Sequence, residues 1–328
     1  MTARTLRLDV PARFAFIRTV FSHGWFDLPP FVWDPAMRTL RYTTLVRTMD
    51  HPARAVPFAM RCDPDSVTVI IESPGRPDEQ QRASVTRDAR RILQLDEDLG
   101  EFHALTGRVS RPDLRRVGAC GGGRLLRGAG VFEDLVKMMC TTNCGWPLTR
   151  VMVSRLVEHL GERSEGGARA FPEPGTMADA PLRFYRNTVR AGYRAPFLRD
   201  LARRVASRDL DPSSWADPRR ADSEVRAEIL SIAGAGPYVA DNLMKLIGRY
   251  GGLGIDAWCR RVFSRMHAKG RKVSDARIER FYAPFGSWRG LALWCDITSE
   301  WFETGAGEGE KPHAGEDRVM EAFSRLVG

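Results

Sequence analysis

The chain has 328 residues, with Lys+Arg 50 against Asp+Glu 41, a formal net charge of +9 and 43% hydrophobic residues. That length allows two domains or one large one around a full apolar core, and no apolar run reaches the roughly 20 residues a membrane helix requires, so a membrane-spanning chain is excluded in favour of a cytoplasmic globular one. Six scattered cysteines (Cys62, Cys120, Cys140, Cys144, Cys259, Cys295) do not form a disulfide framework, and free thiols, no metal and no cofactor are expected. The basic balance suits a polyanionic partner. Only five of the basic residues are lysines, an arginine skew that a GC-rich coding sequence also produces.

Residues 1–105 read as a small antiparallel β-rich domain. Phe14–Val20, Leu40–Val46 and Ser66–Glu72 are β-branched or aromatic runs, separated by turn material such as Asp34-Pro35 and Asp63-Pro64. Arg82–Leu99 follows as a helix with an apolar stripe at Val85, Ala89, Ile92 and Leu93. His23 to Phe31 is the densest aromatic segment, a core loop or the rim of a pocket.

Residues 106–303 read as an all-helical body. Phe102–Arg127 is basic and glycine-rich, with Gly121-Gly122-Gly123 at its centre, and lies before the first strong helix. Phe132–Met139 and Pro147–Leu160 are helices by their apolar spacing, interrupted by Cys140-Thr141-Thr142-Asn143-Cys144. An asparagine at such a boundary is ordinarily a cap. Gly161–Gly175 is a loop, and Pro181–Val205 contains two helices joined at Ala191-Gly192-Tyr193-Arg194-Ala195, with Arg194 available to a carboxylate or phosphate.

The stretch Ser223–Phe263 organises the rest. Ser223 is an N-cap candidate for a helix over Glu224–Ile232; Ala233-Gly234-Ala235-Gly236 makes a tight turn; Pro237 opens a second helix with Val239, Ala240, Leu243, Leu246 and Ile247 on one face. A glycine turn that opens a helix presents backbone N–H groups at the positive end of the helix dipole, which suits a phosphate and reads no sequence. Asp256 stands twenty residues after Gly236 and opens a further helix at Trp258–Met266. Helices at Asp275–Ala283 and Leu291–Phe302 follow. Residues 304–328 read as a Gly- and Glu-rich tail with a short helix at Arg318–Val327.

The hairpin Ile232-Ala233-Gly234-Ala235-Gly236-Pro237-Tyr238-Val239-Ala240 with Asp256 at this distance resembles the helix–hairpin–helix DNA glycosylase superfamily, whose motif is L-x-G-x-G-x-x-x-A before a catalytic aspartate. Ile232 stands where the family has leucine. The Cys140 to Asn143 segment is similar to the C-S-S-N of the oxoguanine branch, and Gly192 to Ala195 to its G-Y-R-A turn. The alkyladenine and oxoguanine branches also begin with a β-rich domain. Position-level matches cover residues 118–302.

The resemblance implies an α+β, mainly α fold and a monomeric DNA glycosylase acting on double-stranded DNA that contains a damaged base. Asp256 would be the catalytic carboxylate, and Gly234, Ala235, Gly236, Tyr238 and Val239 would bind the DNA backbone. Asn143 would fill the space of the everted base and face the opposite strand. Tyr238, Trp258 and Trp294 are the aromatic candidates for the base pocket, each equally readable as core. Bifunctional members carry a lysine two positions after the second glycine; here that position is Tyr238, and Lys245 lies two helical turns further on. The expectation is therefore hydrolysis of the glycosidic bond without strand cleavage. The oxoguanine branch surrounds its base with a glutamine and a phenylalanine where Leu293 and Ile297 fall here. An apolar, aromatic pocket suits an alkylated purine, with oxidised guanine second. The iron–sulfur cysteine spacing of some relatives is absent. A non-catalytic DNA-binding module is the alternative of a different class.

Overall fold

A computed structural model of the chain describes residues 4–47 and 52–299. The expected tail at 304–328 and the last residues of the helix expected to reach Phe302 lie outside them. Five strands form one antiparallel sheet in the order β1-β5-β4-β3-β2: β1 Thr5–Asp9, β2 Val32–Asp34, β3 Thr39–Val46, β4 Arg54–Asp63 and β5 Ser66–Ile71. The helices, in chain order, are α1 Phe16–Val20, α2 Glu79–Ile92, α3 Gly100–Arg108, α4 Pro112–Ala119, α5 Val131–Cys140, α6 Trp146–Leu160 and α7 Pro174–Asp179. They continue as α8 Ala195–Ala206, α9 Asp222–Leu230, α10 Pro237–Leu246, α11 Ala257–His267, α12 Asp275–Tyr282 and α13 Arg289–Ile297.

Two compact units interleave along the chain. One comprises Met1–Ala12, Val20–Asp96 and Leu125–Ser214; the other comprises Arg13–Thr19, Glu97–Arg124 and Trp215–Gly328. The sheet therefore shares a unit with α5 to α8, whereas composition alone divides the chain at residue 105.

In the first unit the β4–β5 hairpin turns on Pro64-Asp65, with Asp63 opposite Ser66. Pro presets the dihedral that a tight turn needs. Pro57, inside β4, stands opposite Thr43 of β3, and although it has no N–H its carbonyl accepts Glu72 N–H at 2.8 Å, one residue beyond the last β4–β5 pair, Phe58 opposite Ile71. Val67, Val69 and Ile71 are fully buried, and Val85, Ala89 and Ile92 of α2 are buried with them. A capping box between Asp78 and Gln81 starts α2, which ends at Ile92 and not at Leu99; the chain leaves the helix through Gln94 at φ +53°. Phe14–Val20 is not a strand. Phe16 and Val20, both buried, are four residues apart on α1, a spacing that serves a helix as well as an aromatic run serves a sheet. The aromatic segment after it folds into a short 3-10 turn with Trp25, Phe26, Leu28 and Phe31 all buried, and Trp25 Nε1 donates to Asp134 at 2.9 Å.

In the second unit, the basic, glycine-rich stretch before the first strong helix itself contains most of α3 and all of α4. Gly118 allows their contact: a Cβ there would come within 2.3 Å of Thr106 Oγ1. Asp296 of α13 is a further anchor, 1% exposed, accepting Arg111 Nη1 at 3.1 Å, His267 Nε2 at 2.9 Å and the Tyr282 hydroxyl. One carboxylate thus ties α4, α11 and α12 to α13.

Candidate active site

α9 begins at Asp222, one residue before the expected cap Ser223; the cap position is Ala221. Val225 and Ile229, four apart, are fully buried and carry the helix into the turn. Gly234 has φ +85°, the left-handed conformation that favours glycine, and Ala235 N–H closes the turn on Ile232 O at 2.9 Å. Gly236 is the N-cap of α10, Pro237 takes the first helical position, and no side chain caps this end. Gly234 and Gly236 are exposed; Ala235 and Val239 are buried at 4% and 1%. Of the five residues expected to meet a DNA backbone, these two present no side chain, and the Ala235 amide is already engaged within the turn. Tyr238 is half-buried.

Asp256 is the N-cap of α11, its side chain accepting Cys259 N–H at 2.7 Å. That is the only hydrogen bond its carboxylate makes among the described residues, and the residue is half-buried. The segment leading to it, residues 251–255, is held from two sides. From α10, Asp241 Oδ2 accepts Gly254 N–H at 3.2 Å, and Lys245 Nζ donates to Gly252 O at 3.2 Å and Leu253 O at 2.9 Å. From the start of α13, Arg289 Nε donates to Gly251 O at 2.6 Å, and Gly290 N–H donates to Tyr250 O at 2.8 Å. Gly290 is glycine for a steric reason: a Cβ would lie 1.9 Å from Gly252 O. A surface pocket of about 530 Å³ adjoins this segment, with Tyr238, Asp241, Met244, Leu253, Ile255 and Arg289 in its lining.

Trp258 and Trp294 come together in this unit, half-buried, ring centroids 5.9 Å apart at 49°. Leu293 and Ile297, on the same helix as Trp294, are buried at 2% and 4%. Burial pushes the Lys245 amine down to about 8, and it leaves the side chain only 2% exposed. Among the described residues no three His, Cys, Asp or Glu side chains converge as metal ligands do.

The other unit holds Asn143. It has φ +47° just past the end of α5, a conformation asparagine tolerates better than most residues, and its Nδ2 donates to the Tyr193 hydroxyl at 3.0 Å. Tyr193 is 52% exposed, with the Arg194 guanidinium 4.5 Å from its ring centroid. Arg194 itself is not available to a phosphate: it is 4% exposed and donates to Thr142 O and, at 3.1 Å, to Thr142 Oγ1. It shapes the loop that presents Asn143. Sequence reasoning missed Tyr193, Asp241 and the clamp on residues 251–255. The first could have been found as an aromatic between glycine and arginine in a turn; the others carry no local signal.

The hairpin and the aspartate that caps the next helix are the features on which the sequence resembles the helix–hairpin–helix DNA glycosylases. No family model matches the chain. Among its relatives, YfjP of Bacillus subtilis (strain 168), provisionally named a DNA-3-methyladenine glycosylase, is 22% identical over 284 residues, 82% of this chain and 96% of YfjP. Three solved structures share the fold. MBOgg1 in complex with a low-affinity DNA ligand gives a TM-score of 0.71 at 19% identity over 92% of this chain and 96% of its own. The 3-methyladenine DNA glycosylase from Archaeoglobus fulgidus gives 0.69 at 17% identity over 91% and 99%. The apo 8-oxoguanine glycosylase/lyase from Clostridium acetobutylicum gives 0.59 at 20% identity over 77% and 88%. The α+β, mainly α fold expected from the sequence is the one found.

Proposed function

We propose that the protein is a monofunctional DNA glycosylase that everts a damaged purine from a duplex, an alkylated one in preference, and hydrolyses its N-glycosidic bond. The observation that carries this reading is Asp256: one oxygen caps α11, the other accepts no hydrogen bond among the described residues, and the segment before it is clamped by α10 and by the start of α13. Cleavage of the bond builds positive charge on the sugar, and a carboxylate fixed in advance stabilises that charge and orients the attacking water. The uncapped amino end of α10 and the exposed Gly234 and Gly236 support backbone binding without sequence readout. Trp258 and Trp294 supply aromatic faces for an electron-poor base. Asn143 and the exposed Tyr193 are suited to fill and wedge a stack that has lost a base.

Two features argue against strand cleavage. Tyr238 has no amine with which to form a Schiff base, and Lys245 is buried against backbone carbonyls. The alkylated-purine preference is supported by the names of YfjP and the Archaeoglobus enzyme. The name of the Clostridium neighbour favours oxidised guanine as the second reading.

The test is base release from duplexes that each hold one lesion (alkylated adenine, hypoxanthine, oxidised guanine, uracil), scored with and without alkali. Release with breakage only after alkali, abolished in D256N, is the expected result and names the lesion. Breakage without alkali overturns the monofunctional reading. Salt-sensitive DNA binding with no release from any duplex means a binding module.

A further inference from the structure

We infer that Lys245 is a positioning residue for the reaction: its ammonium, seated beneath residues 251–255, holds the segment that delivers Asp256. This rests on the glycosylase reading for the chemistry, though not for the tether itself.

The reasoning begins with composition. The chain uses arginine wherever a surface cation will do and has five lysines in all. Two of them, Lys137 and Lys245, are buried at 0% and 2%. Lys137 is paired with Glu133 at 2.6 Å, as a buried ammonium is expected to be. Lys245 is not within ion-pair distance of a carboxylate among the described residues; its hydrogen bonds go to Gly252 O and Leu253 O. On α10 its neighbours Leu243, Met244 and Leu246 are all buried and apolar, so packing alone calls for another apolar residue here. The Asp241 and Asp256 carboxylates act on this ammonium only from beyond contact distance, so its burial is costly, and a leucine or methionine at this position would be the cheaper choice for folding. What the lysine supplies instead is a donor that reaches two consecutive carbonyls.

Those carbonyls belong to a segment whose other ties, Arg289 to Gly251 O and Asp241 to Gly254 N–H, hold different residues of it. Residues 252–255 have no regular structure. Gly252 and Gly254 lie so close to α10 that a Cβ at either would come within 2.9 Å or 2.6 Å of Asp241 or Asn242. Three glycines in the six residues 251–256 make the segment inherently loose, and Asp256 is its last residue before α11. Lys245 and Asp241 grip it from one helix: the lysine takes carbonyls and the aspartate takes the Gly254 amide. The geometry is that of a clamp whose product is the orientation of Asp256.

The experiment compares wild type with K245M, which keeps the length and apolar stem of the side chain and removes the donor. Three quantities are read: amide hydrogen exchange over residues 251–256, the single-turnover rate on the duplex the wild type cleaves best, and affinity for undamaged duplex. Positioning predicts exchange raised at least tenfold in that segment and not elsewhere in α10 or α11, a rate about 100-fold lower, and undamaged-duplex affinity unchanged. A K245M rate within threefold of wild type overturns the proposal, whatever the exchange does; so does a slower rate with unaltered exchange in the segment. If wild type releases no base at all but K245M still loosens the segment, the glycosylase reading has failed and the tether stands. Should K245M not fold, K245R, which keeps the charge and alters its reach, carries the same three measurements.

Discussion

On the proposed function, replacing Asp256 by asparagine separates folding from chemistry, because that reading gives the residue two tasks on two oxygens. The cap is one: Asp256 accepts Cys259 N–H at 2.7 Å, and asparagine caps helices about as well as aspartate. D256N is therefore expected to unfold within about 0.5 kcal/mol of wild type, whereas D256A loses the cap and about 1 kcal/mol. The charge is the other task. Removing a single preorganised electrostatic group from an active site typically lowers the rate 10²–10³-fold, roughly 2.7–4 kcal/mol, and a full carboxylate opposite a developing cation belongs at the upper end or beyond. The assay is single-turnover base release alongside urea unfolding for both variants. The reasoning is refuted if D256N keeps more than a tenth of the wild-type rate, or if D256A and D256N fall in activity only as far as they fall in stability.

Gly290→Ala places a methyl group 1.9 Å from Gly252 O, so backbone must move; about 1–3 kcal/mol of stability and a loss of base release without loss of DNA affinity are expected from unfolding and binding curves. Asp296→Ala strips the shared acceptor from Arg111, His267 and Tyr282 and leaves a part-buried guanidinium uncompensated, for about 3–5 kcal/mol by denaturation; a loss under 1 kcal/mol would show the cluster to be incidental. His23 is fully buried beside Leu126 O at 2.7 Å, and burial lowers it to about 4. The unfolded chain takes up the proton near 6.5 and the folded chain only near 4, so stability declines as pH falls through that window, by up to about 3 kcal/mol. H23Q should flatten that part of the stability–pH curve, read by thermal melts between pH 7 and 4.

Much of this protein was legible in its sequence, and for local reasons. A glycine turn followed by proline and an apolar face at helical spacing can scarcely fold otherwise, so α9, the turn and α10 were read to within two residues, and Asp256 was read as the cap it is. Two of the three β-rich runs became strands, since alternation over a half-buried sheet is written into each run by itself. Errors arose where local signals were ambiguous. Phe16 and Val20 satisfy a helix as well as a strand, no strand was read over Arg54–Asp63, and the glycine-rich, basic stretch 102–127 gave no sign of α3 and α4.

The remainder was settled by tertiary contacts. That Arg194 is buried against Thr142 and that Tyr193 stands beside Asn143 depend on residues fifty apart meeting in space. The position of Lys245 shows the limit best. Its place along α10 indicated correctly that it lies two turns from Tyr238, but it could not reveal two carbonyls of a later loop waiting for its amine. Helix periodicity is encoded within a dozen residues, whereas the partner of a buried polar group depends on how the whole chain packs. The sequence by itself therefore determined the glycine turn, the helices on either side of it and the place of Asp256 at the head of the next one; the tertiary structure alone decided how Asp256 is held.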